Sequence, residues 1–299
     1  MKVLVTGSAS GLAQALLPRL LAAPQIELVL GVDREQCQFE HEHFVQVLLD
    51  LHSPQLQRVL QGMDAVIHLC AAGYAEPDPD KRERALADMQ RDGQNLCTLA
   101  AAAGIRRIVH LSSALLYDTR RDSQRGIKED HDRRAPEHCV VLQALQALED
   151  WLDDFESQHP ELTVVRLRPH WIVGPKTASL LNRLLAGRVY PRLRDPQPLL
   201  QCVHEDDVVE AVRLALVEQV SGAMNLACDD AAPLKRLARL AHWIALPLPA
   251  TVVARRLEAA EAGCFDVLRR SLVLDSRRAR KQLGWRPKHD SVRAVIKHR

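Results

Sequence analysis

VLVTGSASGLA, residues 3–13, is the stretch that decides the fold. Val3 to Thr6 is a short apolar run of strand type, and helical spacing begins at Leu12, so the glycines stand where a strand turns into a helix. Such a turn lets the backbone approach a pyrophosphate, and the helix start supplies N–H donors and the positive end of its dipole. Gly7, Ser10, Gly11 and Leu12 are the phosphate-side candidates. Ala13 stands where the last glycine of such a turn packs helix on strand. Pro18 falls inside the helical pattern, which predicts a kink there.

Outward from the turn, apolar runs recur at 27–33, 44–51, 65–70, 108–113 and 163–169, with helical patterns at 12–22, 54–61, 82–103 and 140–156 between them. Continuous runs of that length suit strands buried on both faces, and their alternation with helices predicts a doubly wound parallel sheet of Rossmann type. The expected division is a dinucleotide-binding part over 1–168 and a smaller substrate-side part over 169–299, with 201–228 packing back on the first. The polar stretch 119–138 is the one long loop-like insertion. The second run ends in Asp33-Arg34. An acid there hydrogen-bonds ribose hydroxyls and repels a 2′-phosphate, which favours NAD, whereas Arg34 leaves NADP open.

Composition bounds the rest. Forty basic against 38 acidic residues leave a net charge of +2, so nothing draws the chain to nucleic acid, and aromatics at 4% argue against base-stacking surfaces. No apolar run approaches a membrane span. The seven cysteines include no CxxC pair, so the expectation is buried free thiols in a soluble, cytoplasmic protein. The thirteen histidines show no metal-ligand spacing, and no metal is expected.

The chain resembles, nearly end to end, the extended short-chain dehydrogenase/reductase family, which includes nucleotide-sugar epimerases and dehydratases. TGSASGLA is similar to its glycine motif. Asp50-Leu51 is similar to its adenine-contacting pair, and His68-Leu69-Cys70-Ala71-Ala72 to the strand end beside the cofactor, which adds Leu69, Ala71 and Ala72 to the cofactor candidates. IVHLSSALLY carries the active-site serine at Ser113. RLRP (166–169) with Val173-Gly174-Pro175 is similar to the segment that closes over the nicotinamide, and VHEDD (203–207) and LGWRP (283–287) to the C-terminal half. The resemblance implies a bound NAD, with NADP possible, a small-molecule partner such as a nucleotide sugar, and a homodimer formed through two helices per subunit, one of them 140–156. Its apolar stripe is Val141, Leu145, Leu148, Leu152 and Phe155.

In that family a Tyr-x-x-x-Lys pair on this helix does the acid–base work, supported by the serine and by an asparagine on an earlier helix. Setting Glu149 on the family's glutamate puts Val141 at the tyrosine and Leu145 at the lysine; the asparagine position falls on Met89. The tyrosines of this chain are Tyr74, Tyr117 and Tyr190, and no lysine occurs between Lys128 and Lys176. A lone serine without a base is a poor nucleophile. Two readings follow. One is a cofactor-dependent sensor or regulator that keeps the cofactor turn and has lost the chemistry. The other is a working epimerase, dehydratase or reductase with substituted groups, for which His138, Cys139 and His170 are the acid/base candidates and Arg183, Arg188, Arg192 and Arg194 the candidates for a substrate diphosphate.

Overall fold

The structure is a computed structural model and describes residues 1–69, 79–119, 126–136, 139–177, 179, 181–182, 189–191, 198–242, 244–246, 267 and 270–298. Six strands follow the apolar runs: β1 (Lys2–Thr6), β2 (Leu28–Asp33), β3 (Phe44–Leu48), β4 (Ala65–Leu69), β5 (Arg107–Leu111) and β6 (Thr163–Pro169). Helices α1 (Gly11–Leu21), α2 (Leu56–Val59), α3 (Pro79–Ala102) and α4 (Val140–Gln158) lie between them. After β6 come the short strands β7 (Trp171–Val173), β8 (Val189–Pro191), β9 (Leu199–Leu200) and β10 (Cys202–His204), then α5 (Glu205–Val217) and β11 (Gly222–Leu226). The chain ends with β12 (Ala232–Pro233), α6 (Leu234–Leu240), β13 (Ile244–Leu246), α7 (Arg277–Gln282) and α8 (Val292–Lys297).

The main sheet has seven strands in the order β11-β6-β5-β4-β1-β2-β3, all pairs parallel. Alternation on each strand sends side chains to both faces. Val3, Val5, Val29, Ile67, Val109 and Val165 pack with α1 and α5, while Leu4, Val66, Ile108 and Val164 pack with α3 and α4. This two-sided burial explains the unbroken apolar runs. The small pairs β7–β10, β9–β12 and β8–β13 belong to the C-terminal part, whereas β11 joins the main sheet against β6. No helix among the described residues is long and apolar enough to cross a membrane.

Pro18 stands inside α1, which runs from Gly11 to Leu21. A proline removes its own N–H bond, and here the carbonyl so released, that of Gln14, receives the Lys176 ammonium at 3.0 Å. The expectation of free thiols needs correction. Cys37, Cys97, Cys202 and Cys228 are free, but Cys139 is disulfide-bonded, with its partner outside the described residues.

Candidate functional site

The strand order reverses direction at β1: the chain first builds outward through β2 and β3, then returns to place β4 on the other side. Ligands of open α/β sheets bind at the carboxyl ends of the strands at such a switch point. Gly7 lies there. Its φ of +71° is a left-handed conformation, and a Cβ on it would stand 2.6 Å from the Leu69 carbonyl oxygen at the end of β4. Ser10 caps α1, its Oγ accepting the Ala13 N–H at 3.3 Å. The Leu12 side chain is buried in the core, so only its backbone faces the turn.

Asp33, at the end of β2, organises this turn. One carboxylate oxygen accepts the Ala9 N–H at 2.9 Å and the other accepts the Glu35 N–H at 3.2 Å. A carboxylate has about four acceptor sites, so capacity for ribose hydroxyls remains. Arg34 turns instead to Asp50, at 3.0 Å, and Asp92, at 3.5 Å. His52 lies 2.6 Å from Asp92 and 3.3 Å from Asp50. Partial burial works against the Asp50 charge, but hydrogen bonds from His52 and the Arg34 charge outweigh it and hold the carboxyl below its usual range. Burial raises Asp92, against the pull of His52 and Arg34. The ligand atoms of Asp50, His52 and Asp92 are close enough to hold a metal ion. The Arg34 guanidinium already engages both carboxylates, so ion pairing accounts for the cluster. Leu51 packs against the core, and its carbonyl accepts from Asn95 at 2.5 Å. Ala71 and Ala72 lie outside the described residues.

On the far side of β4 the chemistry changes. Met89, Val141 and Leu145 are 5%, 1% and 3% exposed and belong to one apolar cluster with Leu116, Trp171, Val173 and Leu200. The stripe on α4 divides between two cores, because Leu148, Leu152 and Phe155 pack instead with Leu96 and Ile108. Ser113 starts a 3-10 turn over Ala114–Leu116 and accepts the Leu115 N–H at 3.2 Å. His170 is buried, with the Trp171 N–H on Nδ1 at 2.8 Å and Nε2 at 3.2 Å from the Leu272 carbonyl. Burial lowers it to about 3, so it is an uncharged group near neutral pH, and its one N–H, on Nε2, is donated to the Leu272 carbonyl. Cys139 is fully buried and disulfide-bonded, which removes it as a thiol. His138, Arg183, Arg188, Arg192 and Arg194 lie outside the described residues.

A polar group does occupy this side, and the sequence named Glu149 and the RLRP stretch without showing that they meet. Glu149, fully buried on α4, accepts from the Ser112 hydroxyl, from Arg168 through Nε at 3.0 and 3.1 Å and through a second guanidinium nitrogen, and from Arg133 at 3.1 Å. Burial works against its charge, but the Arg168 and Ser112 hydrogen bonds prevail and hold it below its ordinary value. Arg168 also donates to the Tyr117 hydroxyl at 2.7 Å, which donates to Asn225 at 2.7 Å. Burial pushes Tyr117 up to about 12, so it stays a neutral phenol. The available signal was a charge inside each apolar pattern: Glu149 on the helix, Arg166 and Arg168 in the strand TVVRLRP.

The segment after β7, named in the sequence by Val173-Gly174-Pro175, is held by a contact that the sequence did not show. Glu205, at the start of α5, accepts the Lys176 N–H at 3.1 and 3.3 Å and the Thr177 hydroxyl at 2.7 Å. Any side chain at Gly174 would collide with Glu205, and any at Gly11 would collide with the Lys176 carbonyl. Residues 174–177 therefore form a strap across the start of α1.

The sequence model of the NAD dependent epimerase/dehydratase family matches residues 3–227. An uncharacterized protein of Mycobacterium tuberculosis strain H37Rv is 26% identical over 308 residues, covering 98% of this chain and 81% of its own length. A "3-diazoavenalumate denitrifying reductase" of a Streptomyces species is 26% identical over 244 residues, 77% of each chain. Among solved structures, MoeE5 in complex with UDP-glucuronic acid and NAD has a TM-score of 0.80 at 22% identity, covering 100% of this chain and 97% of its own. The UDP-glucuronic acid 4-epimerase of Bacillus cereus, with UDP-glucuronic acid and NAD, has a TM-score of 0.80 at 16% identity, covering 100% and 97%. At such identities the structural likeness establishes the fold.

Proposed function

The chain belongs to the NAD-dependent epimerase/dehydratase family, and from that premise we propose that it is an NAD-binding sensor or regulator that has lost the family's acid–base chemistry. The observation that carries this reading is the contrast across β4. Gly7, Gly11 and Asp33 retain a cofactor turn, while Met89, Val141 and Leu145 fill the acid–base positions implied by the resemblance with buried apolar side chains. Bound NAD supplies a hydride acceptor. This chain's own residues then bind and orient: α1 offers its first N–H groups to the pyrophosphate and Asp33 accepts from the ribose. Nothing at Val141 or Leu145 takes or gives a proton. Positioned acid–base groups contribute roughly 10²–10⁴-fold in rate, so their loss removes ordinary turnover at a sugar hydroxyl.

The second ligand of this reading is a nucleotide sugar, the class present in the complexes of MoeE5 and the Bacillus cereus epimerase. Assembly as a homodimer through two helices per subunit, one of them α4, belongs to the same proposal, and sedimentation at micromolar concentration tests it. The name of the Streptomyces relative favours a second reading, a reductase. That reading needs a proton donor: His170 is committed to backbone groups, whereas the Ser113 hydroxyl accepts from the Leu115 N–H and keeps its own proton.

The experiment is calorimetric titration with NAD⁺, together with product analysis after incubation with UDP-glucose and UDP-glucuronic acid. The expected result is saturable NAD⁺ binding with turnover at least 100-fold below the roughly 10 s⁻¹ typical of enzymes. Turnover above about 0.1 s⁻¹ on either sugar would overturn the loss of chemistry. Absence of NAD⁺ binding would overturn the cofactor reading itself.

A further inference from the structure

Lys176 is held in an unusual way. Its backbone is fixed over the start of α1 by Glu205 on one side and Gly11 on the other. Its side chain then runs along the helix to the Gln14 carbonyl. In an ordinary helix that carbonyl accepts the N–H four residues on, but Pro18 has none. The lysine thus rests on a neutral acceptor that the proline leaves vacant. The other described cations around the turn are bound to carboxylates: Arg19 to Asp206 at 2.6 Å, and Arg34 to Asp50 and Asp92. Gly11 and Gln14 are about 4.5 Å apart along the helix axis, within the sweep of a flexible four-carbon stem anchored beside Gly11.

We propose that Lys176 is a phosphate-contacting residue: when a dinucleotide binds, its ammonium leaves the Gln14 carbonyl and pairs with the pyrophosphate at the start of α1. The proposal rests on the reading that this turn binds NAD. The exchange is favourable because it replaces a bond charged on the donor alone by a pair of opposite charges, ammonium on phosphate. The Lys176 carbonyl packs directly against Gly11, which anchors the lysine stem beside the start of α1. Pro18 keeps this resting acceptor open to the lysine, since an N–H at residue 18 would compete for the same oxygen.

The test is calorimetric titration of the full chain with NAD⁺ at two ionic strengths, for the unaltered protein and for Lys176→Met, Lys176→Arg and Pro18→Ala. Lys176→Met should weaken NAD⁺ binding about tenfold and flatten its salt dependence, as loss of one charged hydrogen bond requires. Lys176→Arg should restore most of the affinity. Pro18→Ala returns an N–H to Gln14 and frees the ammonium, so affinity should hold or rise. If Lys176→Met binds within twofold of the unaltered protein, or weakens with the salt dependence intact, the ammonium does not meet the phosphate. If Pro18→Ala weakens binding, the release step is wrong. No NAD⁺ binding by the unaltered protein would instead overturn the reading of the turn on which the proposal rests.

Discussion

Replacing Glu149 by glutamine tests how α4 is held over the sheet. Glutamine preserves the shape and removes the charge. It also turns one acceptor into a donor facing the guanidinium of Arg168. That arginine is 2% exposed and would retain as acceptors the Tyr117 hydroxyl at 2.7 Å and the Glu129 carbonyl at 3.0 Å. Breaking a buried pair by removing one partner costs about 3–5 kcal/mol, because an uncompensated charge stays behind. In a chain of this size one kcal/mol moves Tm by roughly 2–3 °C, so Glu149→Gln should melt about 6–15 °C lower. In urea the midpoint should fall with the slope unchanged. Arg168→Met alone should cost a comparable amount. The double variant Glu149→Met/Arg168→Met should recover more than half of the summed loss, since apolar replacement of both partners is often neutral. A loss below about 1 kcal/mol for Glu149→Gln, or strict additivity in the double variant, would refute the claim that this pair fixes the helix carrying Val141 and Leu145.

Two further outcomes follow from charge placement. Burial lowers His68 to about 3, His110 to about 4 and His170 to about 3. The unfolded chain takes up protons on these imidazoles near pH 6.5 and the folded chain does not, so their contribution is full above that pH and is lost as pH falls toward 3–4. Each histidine costs up to about 1.4 kcal/mol per pH unit in that window, and urea midpoints at pH 7.5, 6 and 5 should decline steeply. A flat midpoint would contradict it. Cofactor choice is exposed in the same way. A 2′-phosphate would enter beside Asp33, Asp50 and Asp92, and Arg34 is already engaged by two of these. NADP⁺ should therefore bind at least about tenfold more weakly than NAD⁺, roughly one lost charge-assisted contact, and equal affinities would show that Arg34 leaves its carboxylates to serve the phosphate.

The six long strands and the glycine turn were legible because each rests on local order: an apolar run, then glycine, then helical spacing. What could not be read is where distant charges meet. Glu149 joins Ser112, Arg133 and Arg168 only because β5 and β6 pair in register beneath α4. Ser113 was named by motif position, and the sequence does not show that its neighbour Ser112 is buried against Glu149 while Ser113 starts the 3-10 turn. At Pro18 the sequence shows the lost N–H but not the lysine that arrives from the strap. His170 was read as a candidate acid because a histidine's role depends on whether its nitrogens are free, which sequence does not state.

The place of β11 bears on how the chain is made. β6 lies between β5 and β11, and β11 ends only at Leu226. As the chain emerges from the ribosome, six strands can align before that partner exists. Until then β6 is an open edge bearing Val164, Val165 and Leu167, all of them buried in the finished protein. An apolar edge with unpaired backbone groups is a template for pairing with another chain, and pairings distant in sequence form slowly. The period of greatest exposure to aggregation thus falls in the middle of translation, after β6 and before β11. Slower elongation across that interval lengthens the risk, so recovered yield depends on the timing of synthesis as well as on the stability of the folded chain.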